Sequence, residues 1–174
     1  MLEVVLLVVV MLLVGAWALL GVIYSISGTW ERDDIENQDS ALGRERVTLA
    51  QFGPLVLGRR EVAGGYQSFF GIGFANTFYL SRRDHGQLLL KKEGFPEPIA
   101  KLLEGEIMMR MKLKISPDKL FLAGLCEPYK VEFTHEPPRI TAKRRVAPAP
   151  RRYRRVELVR TKSVAHAPYV THFI

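Results

Sequence analysis

Positions 4–30 carry no charged side chain, a run of 27 that opens Val-Val-Leu-Leu-Val-Val-Val-Met-Leu-Leu-Val. About 20 apolar residues carry a helix across a bilayer core, so the pattern predicts a transmembrane anchor over residues 1–30. Ser25, Ser27 and Thr29 place the end of the apolar core near residue 26, with Tyr24 and Trp30 at the aromatic belt of the lipid boundary. A cleaved secretory signal fits less well, because it needs a basic leader ahead of a short apolar core. The charge ahead of this run is Glu3, and the run continues past the cleavage-like Ala16-Trp17-Ala18 through Leu19, Leu20, Val22, Ile23 and Ile26. Gly15, Ala18, Gly21 and Ser25 fall at spacings of three and four, a stripe on which another helix, from a second copy in a homo-oligomer or from a partner subunit, can pack.

Beyond the anchor the pattern changes twice. Residues 31–46 are polar and acidic and predict a juxtamembrane linker, and from 47 to 140 the chain turns apolar and glycine-rich with period-two alternation. Met109, Met111, Leu113 and Ile115 alternate with Arg110, Lys112 and Lys114, as do Tyr129, Val131 and Phe133 with Lys130, Glu132 and Thr134; this is the signature of strands with one wet face. Segments 47–52 and 55–62 flank Gly53-Pro54, and Ser116-Pro117-Asp118 turns the chain back toward Leu120. Gly71-Ile72-Gly73 predicts a bulge or tight bend between two strands, and Asp84-His85-Gly86 a hairpin loop before the strand-like Leu88-Leu89-Leu90. One short helix is predicted after Pro96, where Ile99, Leu102 and Leu103 share a face ahead of Gly105. The count is six to eight strands, and the fold class is a single N-terminal transmembrane helix followed by a small mainly-β domain, an antiparallel barrel or curled sheet, with a basic C-terminal tail.

Charge sharpens the last part. The chain has 174 residues and a formal net charge of +7, yet the segment 139–162 alone holds ten basic residues against Glu157, a charge of +9 that leaves the remainder at −2. Residues 141–174 therefore read as a basic, proline-containing docking tail. Its densest blocks are Lys143, Arg144 and Arg145, then Arg151, Arg152, Tyr153, Arg154 and Arg155, the candidate residues for partner or lipid binding. Each basic side chain near an anionic leaflet contributes on the order of 1 kcal/mol. A membrane tether favours lipid or an acidic partner protein over nucleic acid. Val156, Leu158, Val159, Val164, Tyr169, Val170, Phe173 and Ile174 make the tail too apolar for a free polyelectrolyte. With no Lys or Arg before the helix and several after it, the expected orientation is N-terminus outside and C-terminal domain in the cytoplasm, single-pass in the inner (plasma) membrane.

Candidate chemistry is sparse. His85, His135, His166 and His172 lack metal-ligand spacing, Cys126 has no second cysteine, and Pro137-Pro138 after His135-Glu136 excludes a zinc-protease helix. Gly71-Ile72-Gly73-Phe74 lacks the remaining residues of a phosphate loop. Neither a cofactor nor a metal is expected. The expectation is a non-enzymatic accessory or scaffold subunit of a larger membrane complex; the alternative is a membrane-tethered sensor of anionic lipid or an acidic partner.

Overall fold

The computed structural model describes residues 2–33 and 45–156; on the N-terminal helix it describes side chains over 3–16. The helix, α1 (Leu2–Ile23), is followed by β1 (Gly28–Arg32), β2 (Arg46–Phe52), β3 (Leu55–Val62), β4 (Gly65–Phe74) and β5 (Thr77–His85). Two short helices, α2 (Gln87–Lys92) and α3 (Glu97–Leu103), precede β6 (Ile107–Ile115), β7 (Phe121–Thr134), β8 (Arg139–Arg145) and β9 (Ala149–Val156). Among the described residues, no helix is long and apolar enough to cross a membrane.

Eight of the strands close on themselves. β1 to β7 pair in sequence order, β7 pairs β9, and β9 returns to β1, every pair antiparallel. β8 lies outside this ring, pairing the second half of the 14-residue β7. Closure leaves the ring without an open edge. An eight-stranded barrel is just wide enough for side chains to fill, and here the inward positions do so. Trp30, Val47, Leu49, Val56, Phe69, Phe78, Leu80, Met111, Leu113, Leu122 and Tyr153 belong to one buried cluster. The void left among them is about 10 Å³, roughly the room one water needs. A second cluster joins Leu90 of α2, Ile99, Ala100 and Leu103 of α3, Met108 and Val131, with Phe95, Phe133 and Ile140 against it. It packs the helices onto the β7–β8 hairpin.

Two glycines show why the barrel can curl so tightly. A Cβ on Gly71 would stand 1.9 Å from the Tyr79 carbonyl oxygen, and one on Gly124 would stand 2.0 Å from that of Lys112. Gly71-Ile72-Gly73 is therefore the interior of β4 and not a bend; the reversal falls at Ala75-Asn76. Several other expectations are corrected. The charge-free run is not one span: α1 ends at Ile23, while Ile26 and Trp30 are barrel core rather than lipid-boundary residues. The linker assigned to 31–46 gives its first residues to β1 and Arg46 to β2, and positions 34–44 lie outside the described residues. Leu88-Leu89-Leu90 is helical because Gly86, at φ 103°, turns the chain into α2 instead of a hairpin. The boundary set at residue 140 falls inside β8, so 141–156 is barrel and hairpin rather than tail. The apolar residues expected to dock from Leu158 onwards lie outside the described residues.

Candidate functional site

The eight basic-block residues are divided between three environments by strand alternation. On β9, Arg151 and Tyr153 point into the barrel. Arg151 Nη1 donates to both oxygens of Glu45, at 3.0 and 2.9 Å, and the Tyr153 hydroxyl donates to Glu45 Oε1 at 2.8 Å. Arg155 lies 4.7 Å over the Trp30 ring and donates to the Ser25 carbonyl at 3.2 Å, fastening β9 to the link below α1. Arg152 lies 4.0 Å over Phe121 and 3.5 Å from Asp33, while Arg154 faces solvent. On the β7–β8 hairpin, Lys143 pairs Glu106 at 3.0 Å, Arg144 pairs Glu132 at 3.8 Å and Arg145 pairs Glu127 at 3.6 Å. Exposed pairs of this kind contribute little to stability, and they leave Arg144, Arg145, Arg152 and Arg154 at the surface.

The inward residues extend into a buried polar layer at the α2 end of the barrel. Arg32 reaches Glu45 at 3.5 Å, Arg60 Nη1 donates to Gln67 Oε1 at 3.1 Å, and Arg82 Nη2 meets Asp84 at 2.8 Å and Glu93 at 3.9 Å. Four guanidinium groups thus face three carboxylates in one desolvated layer. Its electrostatics follow from burial. Burial lowers the Arg60 pKa, with Glu45 opposing; for Arg151, Glu45 and Tyr153 outweigh the desolvation and raise it. Burial and then the Glu45 charge push Tyr153 up, so its hydroxyl stays a donor. Burial pushes the Cys126 thiol up to about 11, away from the thiolate a nucleophile needs. Asp84 Oδ1 and Gln67 Nε2, on directly opposed residues of β5 and β4, are buried without a hydrogen-bond partner, a cost that marks this end as polar by construction. Sequence reasoning missed Glu45, Arg60, Arg82 and Asp84. The signal was there: Val56, Gly58 and Arg60 share one strand phase, as do Phe78, Leu80, Arg82 and Asp84.

The remaining candidates resolve as follows. His85 is no free turn residue; it stacks on Tyr66 at 4.5 Å and shares a hydrogen bond of 2.8 Å with Ser68. Among the described residues, no group of three or more His, Cys, Asp or Glu is placed to hold a metal. On α1, a Cβ at Gly15 would meet nothing within 4 Å, and the side-chain surroundings of Ala18 and Gly21 lie outside the described residues. Ser25 is past the helix end, in the link to β1. Every side chain described on α1 is exposed, including Val4, Leu7, Met11 and Val14.

These features define a closed, side-chain-filled antiparallel β-barrel with a charged layer under one end and an apolar helix entering at the other. Comparison with protein-family models, with curated proteins and with solved structures finds no match for this chain.

Proposed function

We propose that this chain is a non-enzymatic, membrane-anchored accessory subunit: α1 lies in the bilayer with its N-terminus outside, and the barrel presents its outer wall and basic strands to partner subunits on the cytoplasmic side. The observation that carries this reading is α1 itself. Its described apolar side chains, over residues 3–16, are exposed and pack against nothing among the described residues, and exposed apolar surface on that scale marks a membrane or protein contact. Over the described side chains, residues 3–16, the helix is too short for a span; in this proposal it extends through residues 17–23 of α1, which carry no charge, to a rise of about 33 Å, close to a bilayer's hydrocarbon thickness. The filled barrel supports a binding and positioning role over that of a small-molecule carrier. The second reading, a tethered sensor of anionic lipid or an acidic partner, draws on the exposed Arg144, Arg145, Arg152 and Arg154.

The test is affinity purification of the full chain from native membranes in mild detergent, after an alkaline carbonate wash. Retention in the washed membranes, with co-migration of other integral membrane proteins in fixed ratio on a native gel, is the expected result. Release by carbonate overturns the anchor, and migration as a lone chain with lipid transfers the reading to the sensor.

A further inference from the structure

The closed topology gathers features that lie far apart in sequence onto one rim. The β2–β3 turn, the β4–β5 turn, the β6–β7 turn and the entry of the chain from α1 all fall at the end opposite the charged layer. The tips are stitched into one rigid edge. Gly73 N donates to Pro54 O at 2.7 Å, Ile115 N to Asn76 O at 2.9 Å and Arg155 N to Leu120 O at 2.8 Å. The link from α1 is fastened there too: Ile26 is buried, its N–H donates to Gln51 Oε1 at 2.9 Å, and Gln51 N donates to Ser27 Oγ at 2.9 Å.

This rim exposes its largest apolar side chains to solvent, Phe74 at 76%, Phe52 at 65% and Ile72 at 58%, with Leu55 and Leu120 beside them. Single exposed apolar residues are ordinary; aromatic tips on successive hairpins around the foot of an apolar helix are a surface with a partner. Charge selects the partner. Lys114 and Lys119 are exposed at this rim, where Asp118 is the one acid among the described barrel residues, turned back onto Ser116 and the Leu120 N–H. The described acids Glu45, Glu61, Asp84, Glu93, Glu97 and Glu106 lie at or toward the opposite end. A face that is apolar at its tips and basic just behind them matches the layering of a bilayer surface, acyl boundary first and anionic phosphate next.

We infer that this rim is a membrane-interface contact in which the tips carrying Phe52, Leu55, Phe74 and Leu120 insert at the headgroup–acyl boundary and Lys114 and Lys119 sit at phosphate level. The inference rests on the anchored reading, because α1 brings the rim to the bilayer. It adds that the barrel stands end-on at the lipid surface, its charged layer and α2 and α3 pointing away.

The test uses the full chain in mixed phosphatidylcholine–phosphatidylglycerol bilayers, with an environment-sensitive fluorophore on single introduced cysteines. The positions are Phe52→Cys and Phe74→Cys at the rim, Leu102→Cys on the far end, and Met11→Cys on α1; native Cys126 is buried and serves as the unlabelled background. Nitroxide lipid quenchers placed shallow in the acyl chain should reduce rim emission roughly twofold or more, as insertion by 5–10 Å implies, quenchers placed deep should reduce emission from position 11, near the middle of α1, and both should leave position 102 unchanged. Quenching at 11 with rim positions behaving like 102 overturns the inference while the anchor stands. Quenching at the rim without quenching at 11 upholds the rim contact and overturns the anchor, and no quenching at either overturns both.

Discussion

Glu93, at the end of α2, is a partly buried acid beside the fully buried Asp84 at the charged end of the barrel. Burial first, and then the Asp84 carboxylate, raise its pKa, with Arg82 and Arg60 opposing. A carboxyl whose folded-state pKa exceeds its unfolded value of about 4.3 holds its proton more tightly in the folded state. The resulting cost is absent below the unfolded value and grows as pH rises through the folded one. Glu93→Gln, neutral at every pH, is therefore expected to be more stable than the parent at pH 7, with the advantage shrinking toward pH 4, as read from urea midpoints. Equal midpoints at pH 7 would mean that Arg82, 3.9 Å away, already compensates the burial. The residue scale is also where the sequence is least transparent. Arg151 reads as one more member of a basic block, and only the strand phase that also carries Tyr153 inward distinguishes it from its exposed neighbours Arg152 and Arg154.

Elements follow the sequence where alternation is long and unbroken, as in β6, and fail where a run is short or glycine replaces a side chain. α2 has six residues, less than two turns, so Leu88-Leu89-Leu90 carries no period that separates helix from strand. The glycines of β4 read as a break because glycine usually ends strands, whereas here Gly71 is what lets β4 and β5 approach. That makes a prediction about the sheet itself. Gly71→Ala and Gly124→Ala each force a Cβ against a carbonyl oxygen across the strand pair, and displaced backbone of this kind costs about 1–3 kcal/mol. Gly15→Ala, with nothing within 4 Å, should leave barrel unfolding unchanged. Denaturant unfolding followed through the fluorescence of buried Trp30 compares the three. If the two barrel variants match the parent, the close approach is not what shapes these strands.

For the molecule as a whole, the β class and the apolar N-terminus were legible, but closure was not, because it depends on pairing between strands at the two ends of the described chain. β1 begins at Gly28 and β9 ends at Val156, and their contact, Thr29 opposite Val156 through Arg32 opposite Tyr153, is the seam of the barrel. Composition hides both partners: β1 sits at the end of an apolar run that resembles anchor, and β9 sits inside a basic block that resembles tail. A domain cut at the compositional boundaries, residues 41–140, would lack both seam strands and with them Trp30, Tyr153 and Arg151, leaving Glu45 buried without its guanidinium and hydroxyl donors. Removing one side of a buried ion pair costs about 3–5 kcal/mol, comparable to the 5–15 kcal/mol stability of a typical domain. The fragment 41–140 is therefore expected to unfold without a cooperative transition or to aggregate through its open edges. The fragment 24–156, which keeps the seam and omits α1, should give a β-type circular dichroism spectrum and one cooperative thermal transition. A cooperative, β-rich 41–140 fragment would show that the sheet folds without closing, and the seam would lose its place as the contact that holds the barrel together.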